Sequence, residues 1–461
     1  MKKRFSVFVS VFMSLIFAVV VVVAATGSPK KDPAEKIVQP EGVLDMSSGR
    51  EGDTLAFTFT RQASVNTVEL KETTGVITRF EIGTFEGETV YVSDYIGEYR
   101  YCSFPAVTTK GLYLKITEAE DAFEIASMEV SFVTETASDD FKVMAYVTAD
   151  SACKMDDSWK ENAKTVTQFN IIGCLFFDIN GRILFDGYDE AGLTDGEEVF
   201  ERALANLKKL NPEAEIVATI LGNRDLTGDG ITESEDRYNK VIGNDGSRSA
   251  FINEIVEFAY GYDLDGVSFD YEYPHSLSSF VNYNAFLQEL KQALGDKRLT
   301  AALSLWNIGI FNVNSDTLRV LDGVELMSYD SFDERGNHST FLKAYNDVTQ
   351  AIQRGADPKV LNLGLPYYSR PANKDAYWGS YKHVADKLGY GDNLITETYV
   401  IDGETRTQPN YYNGRQTIYD KTCYALDSGI GGVMIWHFAC DSTDPDLSLT
   451  AAVQRAIDSR S

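Results

Sequence analysis

From Phe141 to Ser461, short apolar runs alternate with amphipathic stretches, and this alternation constrains the fold more than any other feature. The strand-like runs are KVMAYV (142–147), FNIIGCLFF (169–177), EIVATIL (215–221), LDGVSFD (264–270), LTAALSL (299–305), VELMSY (324–329), LNLGLPY (361–367) and GGVMIW (431–436). Between them, segments such as SAFINEIVEFAYGY and FVNYNAFLQELKQALGD carry apolar residues three and four apart, the period of a helix. Eight strands alternating with helices over about 320 residues predict a (β/α)8 TIM barrel. A doubly wound sheet would place a glycine-rich phosphate turn after its first strand, and YVTADSACK is not one. About 45 residues separate the seventh run from the helix before the eighth. An insert of that length on the active face predicts a wall of the binding site.

Residues 38–134 have a different texture. TLAFTFT, VITRFEIGTF, ETVYVSDYIG, GLYLKIT and MEVSFV alternate apolar and polar positions, with glycines and charged turns between them. That pattern predicts a small antiparallel β-sandwich ahead of the barrel. The run from about Val65 to Phe132 resembles the discoidin, or coagulation-factor type C, carbohydrate-binding modules. The resemblance implies sugar binding through loops at one end. TETASDD (134–140) separates the two textures, so the barrel domain spans 141–461.

The chain opens MKKRF and continues with an apolar run ending in small residues. Residues 1–25 therefore read as a signal peptide, with cleavage after Ala25, or as a membrane anchor. Residues 26–37, polar and with two prolines, read as a linker. Either form of the N-terminus places the remainder outside the cytoplasm, secreted or at the cell surface. A formal charge of −27 disfavours nucleic acid as a partner. The cysteines at 102, 153, 174, 423 and 440 are scattered and lack metal spacing, so they read as buried or isolated thiols with room for at most one bridge. The four histidines show no ligand spacing either.

The fourth run ends in two acids. Side chains alternate along a strand, so Ser268, Asp270 and Glu272 share one face, and Val267, Phe269 and Tyr271 share the other. In a barrel the polar set faces the axis and the apolar set faces the helices. Glu272 then stands at the C-terminal mouth, where barrel enzymes carry their chemistry, with Asp270 one layer below. Two carboxylates this close oppose joint ionisation, so one of them keeps its proton to higher pH. A glutamate so perturbed can protonate a leaving oxygen near neutrality. Taken alone, DYE fits two solvated acids past a strand end better than a catalytic pair.

The flanking residues add weight. DGVSFDYEYP closely resembles the DGxDxDxE pattern of glycoside hydrolase family 18, the chitinase-like enzymes. Asp265, Gly266, Asp270, Glu272, Tyr273 and Pro274 match, and Ser268 stands where the family has its middle aspartate. ELMSYD, with Met327, Tyr329 and Asp330, resembles the family's sixth strand, and GGVMIWHF its eighth. The resemblance covers about residues 141–455. It implies cleavage of β-1,4-linked N-acetylglucosamine by substrate-assisted, retaining catalysis. Glu272 would protonate the glycosidic oxygen and then activate water. The substrate's own acetamido carbonyl would attack the anomeric carbon. Asp270 would orient the acetamido N–H and stabilise the oxazolinium charge, and the Tyr329 hydroxyl would hold the attacking oxygen. Trp436 would stack beneath that sugar, or serve as a core tryptophan. Asp330 would bind substrate, orient its neighbours or act as a cap. Tyr146 lines the same pocket or the barrel core. Ser268 can share a hydrogen bond but not a charge, which predicts a working site with an altered pH dependence. Asp265, of opposite parity, reads as structural.

The same residues serve an endo-β-N-acetylglucosaminidase acting on the chitobiose core of N-glycans. A non-catalytic lectin on the same barrel is the third reading. No cofactor is required by this chemistry. DLTGDGITESED (225–236) has the spacing of a calcium loop, with Asp225, Thr227, Asp229 and Asp236 as candidate ligands. Thr232 at the usual apolar position, and the lack of a flanking helix pair, fit a polar loop instead.

Overall fold

All eight runs become strands of one closed parallel barrel. In the computed structural model, which describes residues 37–44, 48–187 and 194–461, they are β1 (Lys142–Thr148), β2 (Gln168–Ile172), β3 (Glu215–Ile220), β4 (Gly266–Asp270), β5 (Arg298–Leu303), β6 (Gly323–Leu326), β7 (Leu361–Pro366) and β8 (Gly432–Trp436). Each pairs in parallel with the next, and β8 closes the ring on β1. The second run is shorter than its apolar length suggests. Gly173 has φ +89°, in the left-handed region that glycine enters at little cost, and it ends β2 at Ile172. The rest, Leu175–Phe177, pairs antiparallel with Ile183–Phe185.

The two faces of β4 fall as the pleat dictates. Val267 and Phe269 are fully buried in the core between strands and helices, where Phe269 meets Phe286 edge-on at 5.1 Å. Tyr271 stacks on Tyr238 at 3.9 Å. Ser268 points inward and shares a 3.2 Å hydrogen bond with the Tyr146 hydroxyl from β1. Asp265 accepts the Ile216 amide at 2.7 Å and so ties β4 to β3 below the barrel.

Ahead of the barrel lies an eight-stranded antiparallel sheet, in keeping with the alternation over 38–134. It is built on two long strands, Thr54–Glu72 and Arg100–Ala119, whose pairing shifts register between Thr58 and Ala63. One face buries its own apolar core, including Leu55, Val68, Phe80 and Leu114. The other face lies on the helix Arg415–Asp427, whose residues 416–426 are all buried. Arg100 and Asp420 pair there at 3.2 Å, with side chains 1% and 0% exposed. Tyr91 donates to the same carboxylate at 2.7 Å, and Tyr101 donates to Asp427 at 2.5 Å. Arg460 reaches from the C-terminus to Ser103 and Thr67.

The segment 1–36, with the signal-or-anchor stretch and nearly all of the linker, lies outside the described residues; Ile37, at the linker's end, begins a strand paired with Val133. Among the described residues no helix is long and apolar enough to cross a membrane. All five cysteines are buried free thiols. The insert between β7 and β8 forms a four-stranded antiparallel sheet, Gly379–Ser380, Tyr368–Pro371, Glu404–Tyr411 and Leu394–Ile401 in spatial order.

Candidate active site

One pocket opens at the C-terminal ends of the barrel strands. Tyr146, Asp270, Glu272, Tyr273, Ala302, Ser304, Met327, Tyr329, Asp330 and Trp436 line it. Seven of these are sequence candidates, contributed by β1, β4, β6 and β8 or the residues just past them. Below the mouth the lining turns apolar. Met144, Ile172, Ala302, Met327 and Met434 form a small cluster inside the barrel, with Tyr329 and Trp436 packed on it. The pocket therefore combines carboxylates at its mouth with an apolar floor.

Glu272 is exposed at the mouth, and Asp270 sits below it with Oδ1 buried and without a hydrogen-bond partner. The perturbed acid of the pair is Asp270. Burial pushes its carboxyl well above the ordinary range, and the charge and hydrogen bond of Glu272, then the charge of Glu325, add to the shift.

Trp436 ends β8 half-buried, with its ring edge against Tyr146 at 5.5 Å. The Tyr329 hydroxyl rests 4.0 Å from the Met434 sulfur, a weak acceptor that a carbonyl oxygen would readily displace. Asp330 adopts φ +51° and is fixed by its neighbours. Its amide donates to His338 Nε2 at 3.0 Å, and its carboxylate accepts from Arg370 Nε at 2.9 Å. Burial alone would raise this carboxyl, but the adjoining His338 ring and the ion pair with Arg370 hold it well below the usual range. Asp330 is therefore a fixed anion linking β6 to the insert, which supplies Arg370.

Several pocket residues were not singled out from the sequence. Ser304 has the parity of Thr300 and Ala302 along LTAALSL, and that parity was the available signal. Tyr273 directly follows the acid. Its ring meets Trp306 edge-on at 5.0 Å, and Trp306 is 44% exposed, so an aromatic rim extends outward from the mouth. Trp378 of the insert stacks on His437, next to Trp436.

The calcium-loop candidates lie on the loop after β3 and do not converge. Asp225 accepts the backbone amides of Thr227, Gly228, Asp229 and Gly230. Asp229 takes a two-pronged ion pair from buried Arg237, at 2.8 and 3.1 Å. The cation this loop holds is a guanidinium. Among the described residues no group of three or more His, Cys, Asp or Glu is placed to hold a metal. Thermal unfolding is accordingly expected to be the same in calcium and in chelator, and a midpoint that rises with calcium would show a site formed by rearrangement of this loop.

Similarity to known proteins agrees with this geometry. The chain is 26% identical over 334 residues to a class V chitinase of Arabidopsis thaliana, covering 63% of this chain and 84% of that protein. It is 23% identical to probable chitinase 2 of Drosophila melanogaster and spans 58% of that protein's length. Among solved structures, a family 18 chitinase of Flavobacterium johnsoniae superposes with TM-score 0.54 at 26% identity, over 69% of this chain and 94% of that one. The same barrel occurs in a chitinase-like agglutinin of Robinia pseudoacacia, with TM-score 0.51 at 19% identity over 68% of this chain and 98% of that one. Residues 142–441 match the family described as glycosyl hydrolases family 18, and the chain, with its acid pair at the end of β4, belongs to that family of glycoside hydrolases.

Proposed function

We propose that this protein hydrolyses β-1,4-linked N-acetylglucosamine polymers or oligosaccharides by substrate-assisted, retaining catalysis. The observation that carries the reading is the Asp270–Glu272 pair at the end of β4, with Glu272 exposed at the pocket mouth and Asp270 below it. Glu272 is placed to meet a glycosidic oxygen, which it protonates before activating water for the second step. Asp270 lies below, where it orients the substrate acetamido N–H and balances the oxazolinium charge. Tyr329 holds the acetamido oxygen. Trp436 offers a ring face to the apolar side of the bound sugar. Met327 and Tyr146 close the floor, and the Tyr146–Ser268 hydrogen bond fixes the phenol. The apolar N-terminal segment supports action outside the cytoplasm. The antiparallel sheet, with its discoidin-like pattern, is read as a sugar-contacting module held at a fixed distance from the cleft.

Incubation with chitooligosaccharides and with a high-mannose glycoprotein, followed by mass spectrometry of the products, tests the reading. Shortened chitooligosaccharides support it. Release of intact N-glycans, with the oligosaccharides untouched, assigns the chitobiose core as the substrate. Binding without products assigns a lectin, the reading that Ser268 favours and the presence of Glu272 opposes.

The aromatic rim yields a separate expectation. Removing a stacking surface costs roughly 0.5–1.5 kcal/mol, or about two- to tenfold in affinity. Trp306→Ala is expected to raise KM for penta- and hexasaccharides by that factor and to leave a trisaccharide unaffected. Equal effects on long and short substrates would remove Trp306 from the binding surface.

A further inference from the structure

Glu325 is a buried acid with no role in the chemistry above. It lies on β6 in VELMSY and shares inward parity with Met327 and Tyr329. Its side chain is fully buried. Oε1 accepts one hydrogen bond, from Asn170 Nδ2 at 3.2 Å, and Asn170 is in turn held by Gln168 at 2.7 Å. Oε2 is buried beside the Thr300 hydroxyl without a hydrogen bond of good geometry. A carboxylate left so poorly partnered inside a barrel is costly, and a polar core built only for stability would avoid it.

The register shows what it faces. Along the ladder Asp270 stands beside Ala302, and Ala302 stands beside Glu325. Only a methyl group separates the two acids on the ladder. The groups around Glu325 are Asp270 on β4 with Glu272 beyond it, Tyr146 on β1, Asn170 on β2, Arg298 and Thr300 on β5, Asn362 on β7 and the Tyr283 phenol from the helix Leu277–Leu294. Of these only Arg298 is a cation, and it also lies 3.5 Å from Glu215. Ser268, two residues before Asp270 on the same face, supplies a hydroxyl and no charge.

We propose that Glu325 is a positioning residue for the reaction: its negative charge keeps the working proton on the Asp270–Glu272 pair, a task that Ser268 beneath Asp270 cannot perform. The inference rests on the hydrolase reading above. Burial pushes Glu325 up to about 7, so its charge develops as the solution becomes neutral. A like charge nearby raises a carboxyl's hold on its proton. Above about pH 7 the charged Glu325 therefore delays proton loss from the pair and carries the alkaline limb of the rate profile upward. Below that pH Glu325 is neutral and without effect.

The test is the pH dependence of kcat/KM on a chitooligosaccharide for wild type and Glu325→Gln, which keeps the acceptor for Asn170. The alkaline limb of the variant is expected about one pH unit lower, giving about tenfold less activity at a fixed pH on that limb, with equal rates near pH 5. Ser268→Asp placed in Glu325→Gln is expected to return the limb toward wild type, and in the wild-type background to move it higher. Superimposable profiles, or a loss uniform with pH, would overturn the inference. Infrared titration of the neutral carboxyl band of Asp270, identified by its loss in Asp270→Asn, gives a readout without turnover. In Glu325→Gln that band should vanish at lower pH, and an unchanged midpoint counts against Glu325 even if wild type cleaves no glycan.

Discussion

Glu272→Gln is expected to lower kcat on chitooligosaccharides by about 10²–10⁴-fold, the range spanned by a positioned general acid–base. The amide has nearly the shape of the acid but cannot give up a proton to the leaving oxygen or take one from water. Both half-reactions fail together. The surfaces that would hold the sugar, Trp436, Tyr146, Tyr329 and Asp330, are untouched, so binding measured by calorimetry should stay within a few-fold of wild type. Steady-state rates with wild-type and variant protein at matched pH decide the matter. Full activity in the variant would remove Glu272 from the mechanism and leave the pocket without its acid.

The second large effect lies away from the chemistry. Asp420→Leu is expected to destabilise the protein by about 3–5 kcal/mol in chemical denaturation, because it strands the Arg100 guanidinium in the seam between sheet and barrel. Arginine cannot shed its charge there. The substitution also removes the acceptor of Tyr91, Gln416 and the Ser103 amide. Burial pushes Asp420 up to about 6 even beside Arg100, so the pair forms against a substantial desolvation cost. It follows that Arg100→Met combined with Asp420→Leu should recover most of the loss. A single variant within about 1 kcal/mol of wild type would show that water enters the seam and relieves the stranded charge.

The sign of the pH effect at Asp420 follows from the same shift. Its folded carboxyl binds a proton up to about pH 6, whereas the unfolded one releases it near the ordinary value of 3.8. Between those limits the folded state holds more protons, so this group lowers stability as pH rises from about 4 to 6. In Asp420→Leu that component of the slope should disappear.

Much of the barrel was legible because each strand is a contiguous apolar run, and its period is unlike that of the helices between. The acid pair was legible for a related reason: parity along one short strand assigns each side chain a face. Ser304 and Glu325 obey the same parity but stand in runs whose other residues look like ordinary core, so nothing local marks them. The seam was illegible for a different reason. Arg100 and Asp420 are 320 residues apart in sequence, and the partner of each is fixed only once both domains have folded. The loop Asp225–Asp236 shows the converse. Its spacing matches calcium ligation, yet Arg237, one residue past the pattern, supplies the positive charge from the helix Ser234–Ile242. Spacing records which oxygens come together and leaves open what they hold.

The buried seam has a consequence for how the two units can be handled or exchanged. Asp94 clasps the Asn393 amide and side chain in the insert, and Glu120 grips Arg335 on the loop after Asp330. The sheet is thus bolted at several points to the insert between β7 and β8 and to the loop after β6. A protease that nicks the connecting stretch 134–140 should leave the halves associated, and a barrel expressed without the sheet would expose Asp420 and its helix to water. Swapping this sheet for that of a relative would succeed only if the helix Arg415–Asp427 travelled with it.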